Sequence, residues 1–356
     1  MSCERKESDV LTRLLGIDLP LVQAPMAGVQ GSALALAVSN AGGLGSLPCA
    51  MLDGDALRRE LAAIRAQTDR PFNVNFFCHR PPDVDAARDA RWRESLRPFY
   101  DGLGLDPDPV PAGPGRAAFN AAMVEVLAEF EPPVVSFHFG LPAEDLLAPL
   151  RAWGAKILSS ATTVDEARWL DERGVDAIIA QGLEAGGHRG MFLSDDLATQ
   201  TGLFALLPQV VDAVRVPVIA AGGIADARTV QAARALGAAG VQVGTAYLLC
   251  PEANTGALHR AALQDPARRD TVLTNLFTGR PARGLINRFI AGHGPLNPFA
   301  PDFPLAAAAV APLRAKAESL GRDDFSPLWS GQNPGACRAV PAAQLTRELG
   351  AAYTAG

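Results

Sequence analysis

The sequence predicts an α/β fold: a (β/α)8 TIM barrel carrying a smaller, mainly helical C-terminal subdomain and a long insertion after strand 3. Three observations lead there. Eight short apolar runs recur between residues 21 and 248, most end in glycine or a small polar residue, and amphipathic stretches follow them. Apolar strands alternating with helices make a parallel sheet covered on both faces. Eight such units in roughly 250 residues exceed the five or six strands usual in an open doubly wound sheet and match the closed barrel.

The elements follow in order. LVQAPM (21–26) leads into GSALALAVSNAG, and GLGSLP (43–48) into LDGDALRRELAAIRAQT. FNVNFF (72–77) is followed by the insertion, about residues 79–115, which ends in the proline-rich DPDPVPAGPG (106–115). Bulky loops at a barrel's C-terminal rim commonly form lids or substrate walls. VVSFHFG (134–140) precedes AEDLLAPLRAWG, and AKILSSA (155–161) precedes TVDEARWLDERG. AIIAQG (177–182) opens a long loop before LFALLPQVVDAV, VPVIAAGG (216–223) precedes DARTVQAARALG, and GVQVGTAYL (240–248) is the eighth. Thr163 with Glu166 reads as a capping box and Asp226 as an N-cap, while Gly154, Gly174 and Gly237 close the preceding helices. Beyond about residue 254 the strand pattern stops, and helices joined by proline loops are expected, with 303–321 the most helical. The division expected is therefore a barrel over 1–253 and a helical subdomain over 254–356 that contributes to the substrate pocket.

Composition bounds the function. Of 356 residues, 48% are apolar and 20% charged, as in a globular protein. A net charge of −6 gives no footprint for a nucleic-acid backbone or an anionic membrane. Cys3, Cys49, Cys78, Cys250 and Cys337 are widely spaced and form no CxxC pair, which speaks against a disulfide framework or a zinc site. The N-terminus has no apolar h-region, and no apolar run reaches the roughly 18 residues of a membrane span. A cytoplasmic protein is expected.

Chemistry on such a barrel belongs to the C-terminal strand ends. Ala221-Gly-Gly-Ile-Ala-Asp226 and Val243-Gly-Thr-Ala246 follow the seventh and eighth runs, where barrels most often bind a phosphate. Glycine lets backbone N–H groups approach phosphate oxygens, and a helix N-terminus adds a favourable dipole. No GxGxxG or Walker A loop is present. His188, in Glu184-Ala-Gly-Gly-His-Arg-Gly190, stands at the sixth strand end, where an imidazole can take a proton from a carbon acid. His138 in SFHFG is a second candidate that could equally be a hydrogen-bonded core residue. His79, His259 and His293 have no motif around them, and no three histidines share metal-ligand spacing, so no metal is expected. Asn75 and Gln181 are amides at strand ends, suited to the alternating donors and acceptors of a flavin ring or to a network with neighbouring loops. Trp329-Ser-Gly-Gln332 resembles a tail loop folded back toward the rim.

These motifs, in this order, resemble the FMN-dependent nitronate monooxygenases, also known as 2-nitropropane dioxygenases. The resemblance rests on Gln-Ala-Pro-Met-Ala-Gly (23–28), Asn-Val-Asn-Phe-Phe (73–77), Ser-Phe-His-Phe-Gly (136–140), the 180–190 loop, Ala-Ala-Gly-Gly-Ile-Ala (220–225), Gln-Val-Gly-Thr-Ala (242–246) and Leu-Trp-Ser-Gly-Gln (328–332). The 136–140, 184–190 and 328–332 stretches resemble class I of that family. The resemblance implies FMN with its phosphate on Gly222, Gly223, Gly244 and Thr245 and with Gln242 alongside. It puts the ring against Ala24, Pro25, Met26, Asn75, Gln181 and Gly186. It implies His188 as the catalytic residue and His138 as a substrate contact. The implied reaction oxidises alkyl nitronates such as propionate 3-nitronate with molecular oxygen, giving a carbonyl compound and nitrite. Residues 299–316, FAPDFPLAAAAVAPLRAK, depart from the pattern: Phe299 and Phe303 are present and no tyrosine, where several members carry tyrosines and a lysine. The alternatives are an NAD(P)H-dependent flavin reductase of the same fold acting on quinones or enoyl thioesters, a phosphate-sugar isomerase or inosinate-dehydrogenase-like barrel, and a non-catalytic FMN-binding module.

Overall fold

The computed structural model describes residues 4–108 and 116–355; Cys3 and residues 109–115 of the proline-rich stretch lie outside them. The chain runs α1 (Glu4–Leu15), β1 (Leu21–Gln23), α2 (Ser32–Asn40), β2 (Gly45–Pro48), α3 (Gly54–Arg65), β3 (Phe72–Phe77), α4 (Ala86–Leu103), α5 (Ala121–Ala128) and β4 (Val134–His138). It continues α6 (Glu144–Ala152), β5 (Lys156–Ala161), α7 (Val164–Glu172), β6 (Ala177–Gln181), the short β7 (Gly187–His188), α8 (Leu203–Ala213), β8 (Val218–Ala221), α9 (Ala227–Ala235) and β9 (Gly240–Val243). The last part holds α10 (Ala257–Gln264), β10 (Thr271–Thr274), β11 (Ala282–Leu285), α11 (Arg288–His293), α12 (Ala307–Ser319) and α13 (Ala342–Thr354).

Eight strands form one parallel sheet in the order β1-β9-β8-β6-β5-β4-β3-β2. Val22 bridges Leu44 in parallel, with Leu44 N donating to Leu21 O at 2.8 Å and Gln23 N to Leu44 O at 2.9 Å, which brings β1 to β2 and nearly closes the barrel. This is the (β/α)8 architecture expected. Alternation sets the two faces of each strand. In β3, Phe72, Val74 and Phe76 join the cluster beneath the helices, while Asn73 and Asn75 point the other way and donate to Ser136 Oγ, both at 2.9 Å. Leu11 and Leu15 of α1 pack with Val22, Leu44, Val134, Leu158, Ile179 and Ile219, so this helix plugs one end of the barrel.

The helix signals act largely as read. Asp226 and Thr229 form a reciprocal capping box, and Gly154, Gly174 and Gly237 take positive φ after their helices. Thr163 accepts from Glu166 N at 3.2 Å, but the Glu166 side chain does not return to it. Its buried carboxylate accepts from Thr162 N at 2.7 Å and from Phe192 N at 2.5 Å, tying the loop after β6 to α7.

The region beyond residue 254 differs from expectation in two ways. It is not without strands: β10 and β11 pair antiparallel, and β11 pairs with β7, making a three-stranded sheet over the rim. Meanwhile α13 packs on α9, α2 and β1, with Tyr353 Oη donating to Ala238 O and Thr346 Oγ1 2.8 Å from Tyr247 Oη. It thus fills the gap in the helical ring between α9 and α2. A second core lies outside the barrel, where Trp92, Leu96 and Tyr100 of α4 pack with Phe277, Phe289, Val310 and Leu313. Insertion and tail, far apart in sequence, are one lobe. No described helix is long and apolar enough to cross a membrane, and no described His, Cys, Asp and Glu side chains form a group of three that could hold a metal.

Candidate active site

One deep cavity opens at the C-terminal ends of the barrel strands. Its empty space, open mouth included, is about 1390 Å³. Ala24, Pro25, Met26, Asn75, His138, Gln181, Gly186, His188, Gly222, Gly223, Gln242, Gly244 and Thr245 all line it. The residues that the resemblance implicates thus line one cavity, while Cys49, Cys78, His79 and His293 are not among its lining residues.

The floor is a glycine cradle. After β8 the chain turns through Gly222 (φ 129°) and Gly223 (φ 70°) into the capped N-terminus of α9. Only glycine adopts these conformations without strain. After β9, Gly244 leads into a 3₁₀ turn over Thr245–Tyr247. Gln242 Oε1 is buried here without a hydrogen-bond partner among the described residues, as expected of an atom waiting for a ligand. The tail loop reaches the same point: Gly331 N donates to Thr245 Oγ1 at 2.9 Å and Gln332 N to Glu184 O at 3.0 Å. Gly186 is required where they touch, since a Cβ there would stand 2.5 Å from Gly331 N.

Beside the cradle, the loop after β1 is held by paired amides. Gln23 Nε2 donates to Gln30 Oε1 at 2.7 Å, and that oxygen also accepts from Met26 N at 3.1 Å. Ala24, Pro25 and Met26 are thereby fixed as a wall.

The loop after β6 is stapled from several sides. Gln181 donates to His188 O at 2.9 Å and accepts from Gly190 N at 2.8 Å. The fully buried Arg189 donates to Gly182 O, Gln181 O and Gln200 Oε1 at 2.7–2.9 Å. Glu184 accepts from Leu203 N at the start of α8. His138 adds to the staple with both ring nitrogens: Nδ1 lies 2.5 Å from Ser160 Oγ, and Nε2 lies 3.2 Å from His188 O, to which it donates. Burial holds its pKa down to about 3, so it stays neutral.

His188 is held at Nε2, 2.9 Å from Thr278 Oγ1, while Nδ1 has no partner among the described residues. Its ring is walled by Phe77, Phe139, Phe303 and Trp329, with ring centroids 5.3–6.3 Å away. Burial, and after it the charges of Arg116 and other cations nearby, hold its pKa well below 6.5. A neutral imidazole with one nitrogen anchored and one free is the form a base requires. Cys49 and Cys78, whose thiols burial pushes up, lack the thiolate character of a nucleophile.

Sequence reasoning missed several wall residues. His259 of α10 lines the cavity with Nε2 buried and unpartnered among the described residues, and burial lowers its pKa to about 4. No motif surrounds it in the sequence. Arg116 also lines the cavity, directly after the proline-rich stretch, whose loop character gave no sign of it. Trp329, in the stretch read as a tail loop, does reach the rim, and Asn333 joins it.

Fold and cavity together define a (β/α)8-barrel enzyme working at the C-terminal strand ends, with a phosphate-type cradle beside a buried histidine. The sequence profile of nitronate monooxygenase matches residues 8–351. A nitronate monooxygenase of Paraburkholderia phytofirmans is 44% identical over 342 residues, covering 95% of this chain and 93% of the relative. One of Pseudomonas aeruginosa is 44% identical over 345 residues, covering 96% and 98%. The crystal structure of a nitroalkane oxidase from Streptomyces ansochromogenes superposes with a TM-score of 0.86 at 40% identity, covering 97% of this chain and 98% of that one. FabK from Thermotoga maritima gives 0.71 at 28%, covering 97% and 96%. The chain belongs to the nitronate monooxygenase family, and is a flavin-dependent oxidoreductase.

Proposed function

We propose that the cavity holds FMN and that the enzyme oxidises alkyl nitronates, propionate 3-nitronate among them, with molecular oxygen to a carbonyl compound and nitrite. The observation that carries this reading is the convergence of the glycine cradle, the strand-end amides and His188 on one cavity. The cradle suits a single phosphate: Gly222, Gly223, Gly244 and Thr245 would hold it, with Gln242 alongside, its orphaned Oε1 left to accept from an N–H or O–H of the ligand. Ala24, Pro25, Met26, Asn75, Gln181 and Gly186 would meet the ring. FMN supplies the electron exchange between nitronate and oxygen.

The chain's own residues do the rest. His188 Nδ1 takes the proton from the carbon of a neutral nitroalkane; a preformed nitronate needs no such step. Thr278 fixes the ring, and Gln181 and His138 hold the His188 carbonyl, so the imidazole is in place before substrate arrives. His138 is a wall of the substrate space, its nitrogens engaged in that task. The tail contributes to the same pocket through His259, Trp329 and Asn333. Cytoplasmic residence belongs to this reading and is supported by the free Cys49, Cys78, Cys250 and Cys337.

The test is the visible spectrum of the purified protein, identification of the flavin released on denaturation, and oxygen uptake with nitrite formation on propionate 3-nitronate alone. FMN and turnover without NAD(P)H are expected. Colourless protein would overturn the cofactor assignment, and a strict requirement for NADH or NADPH would favour the quinone or enoyl-thioester reductase.

A further inference from the structure

Arg116 is the one formally charged side chain among the residues lining the cavity. Outside the cavity lining, Arg189 is satisfied by three oxygens, Arg283 by Leu183 O and Thr271, and Arg260 by four carbonyls, while Arg88 and Arg280, each with a buried unpartnered Nε, still donate through Nη atoms to Asp302 and Ala300 and to Met191 O. Arg116 instead has Nη1 buried with no hydrogen-bond partner among the described residues, and no carboxylate lines the cavity to meet it. Leaving a buried cationic donor unmade is expensive, so such a group persists where a ligand completes it. Its Cζ lies 5.7 Å from the centroid of Phe303, whose ring centroid is 5.3 Å from that of His188. Arginine and histidine therefore flank one aromatic ring. The ring of His79 meets the same Phe303 edge-on at 4.8 Å. Residues 299–316 bring Phe303 to this place, and the cation comes from Arg116, directly after the insertion.

We propose that Arg116 is a specificity-determining residue that binds a carboxylate on the substrate's tail while the reacting carbon lies at His188. This rests on the nitronate reading of the site. A guanidinium meets a carboxylate through paired N–H donors, which sets orientation as well as affinity. Nitronates with a carboxylate tail are thereby preferred over those with an alkyl tail.

The experiment compares wild type with Arg116→Gln and Arg116→Lys, all checked for full flavin content, on propionate 3-nitronate and on propyl-1-nitronate. Arg116→Gln is expected to lower kcat/KM on the first by about 10–100-fold, the worth of one charged hydrogen-bonded contact, and on the second by less than about threefold. Arg116→Lys should recover part of the loss. Equal losses on both substrates would mean that Arg116 holds the nitronate group itself, and unchanged values on both would mean that it holds nothing; either overturns the proposal. Anaerobic calorimetric titration supplies a readout without turnover: 3-nitropropionate should bind about tenfold or more weakly to Arg116→Gln than to wild type, while 1-nitropropane binds alike. Equal affinity of both proteins for 3-nitropropionate refutes the role. Should wild type oxidise neither nitronate, the nitronate reading fails on its own and the titration still decides Arg116.

Discussion

Replacing His188 by Asn keeps a polar side chain and removes Nδ1, the ring nitrogen of this residue that has no partner among the described residues. Proton abstraction by a positioned base is worth about 10²–10⁴-fold, or about 3–5 kcal/mol of barrier. Turnover of neutral nitroethane should fall by that factor, and turnover of preformed ethyl nitronate by less, because its proton is already gone. A raised KM for the nitronate should accompany the change if the imidazole also hydrogen-bonds the bound anion. The pH profile adds a second signature. Burial and the neighbouring cations keep His188 well below 6.5, so the base remains unprotonated as pH falls from 8 to 6. Activity on nitroalkanes should show no histidine limb near 6.5; a base is lost only below its lowered pKa. The assay is initial-rate oxygen uptake on flavin-replete protein with freshly diluted nitroethane and with its nitronate. Wild-type rates of His188→Asn on both forms would make the imidazole structural and move the base elsewhere in the cavity.

Other outcomes follow from the same geometry. Gly223→Leu forces a side chain into left-handed backbone, with Cβ 3.4 Å from Glu184 Cβ, and should release flavin from a protein whose circular dichroism is unchanged; stoichiometric retention refutes the cradle. His138 and His259 are held neutral in the fold at about 3 and about 4 but titrate near 6.5 when unfolded. The unfolded chain therefore binds more protons below pH 6.5, so their contribution is complete above that value and lost as pH falls toward 4 and then 3. At pH 5 each costs about 2 kcal/mol. Thermal unfolding should come markedly earlier at pH 5 than at pH 7, with the difference reduced in His259→Gln; equal midpoints refute this. Arg189→Met strands the carbonyls of Gln181 and Gly182 and should cost about 3 kcal/mol, read as a lower urea midpoint.

The barrel was legible because its signals are local: an apolar run, a turn glycine and a capped helix recur, and each predicts its own unit. The cradle was legible for the same reason, since Gly222, Gly223, Gly244 and Thr245 sit at known offsets from strand ends. What was not legible depends on contacts across the chain. Glu166 has the spacing of a capping box, yet its carboxylate serves Thr162 and Phe192, because a buried acid goes where unpaired N–H groups are densest. β11 is recognisable only by its partners, the four-residue β10 and the two-residue β7. Arg116 lies beside a proline-rich loop and His259 on an ordinary amphipathic helix, and only the closed rim turns either toward the cavity.

The position of α13 bears on how the molecule is made. The helix that fills the ring between α9 and α2 is encoded about a hundred residues after β9, the strand it follows in the barrel. At ribosomal speeds of about 5–20 residues per second, the nascent barrel waits some 5–20 s with an apolar flank uncovered. During that interval Leu21, Leu34 and Val38 form an open seam that a chaperone or a second nascent chain can reach. The excursion that builds one wall of the catalytic cavity is also what delays the seam's closure, so the architecture couples completion of the site to the last step of ring assembly.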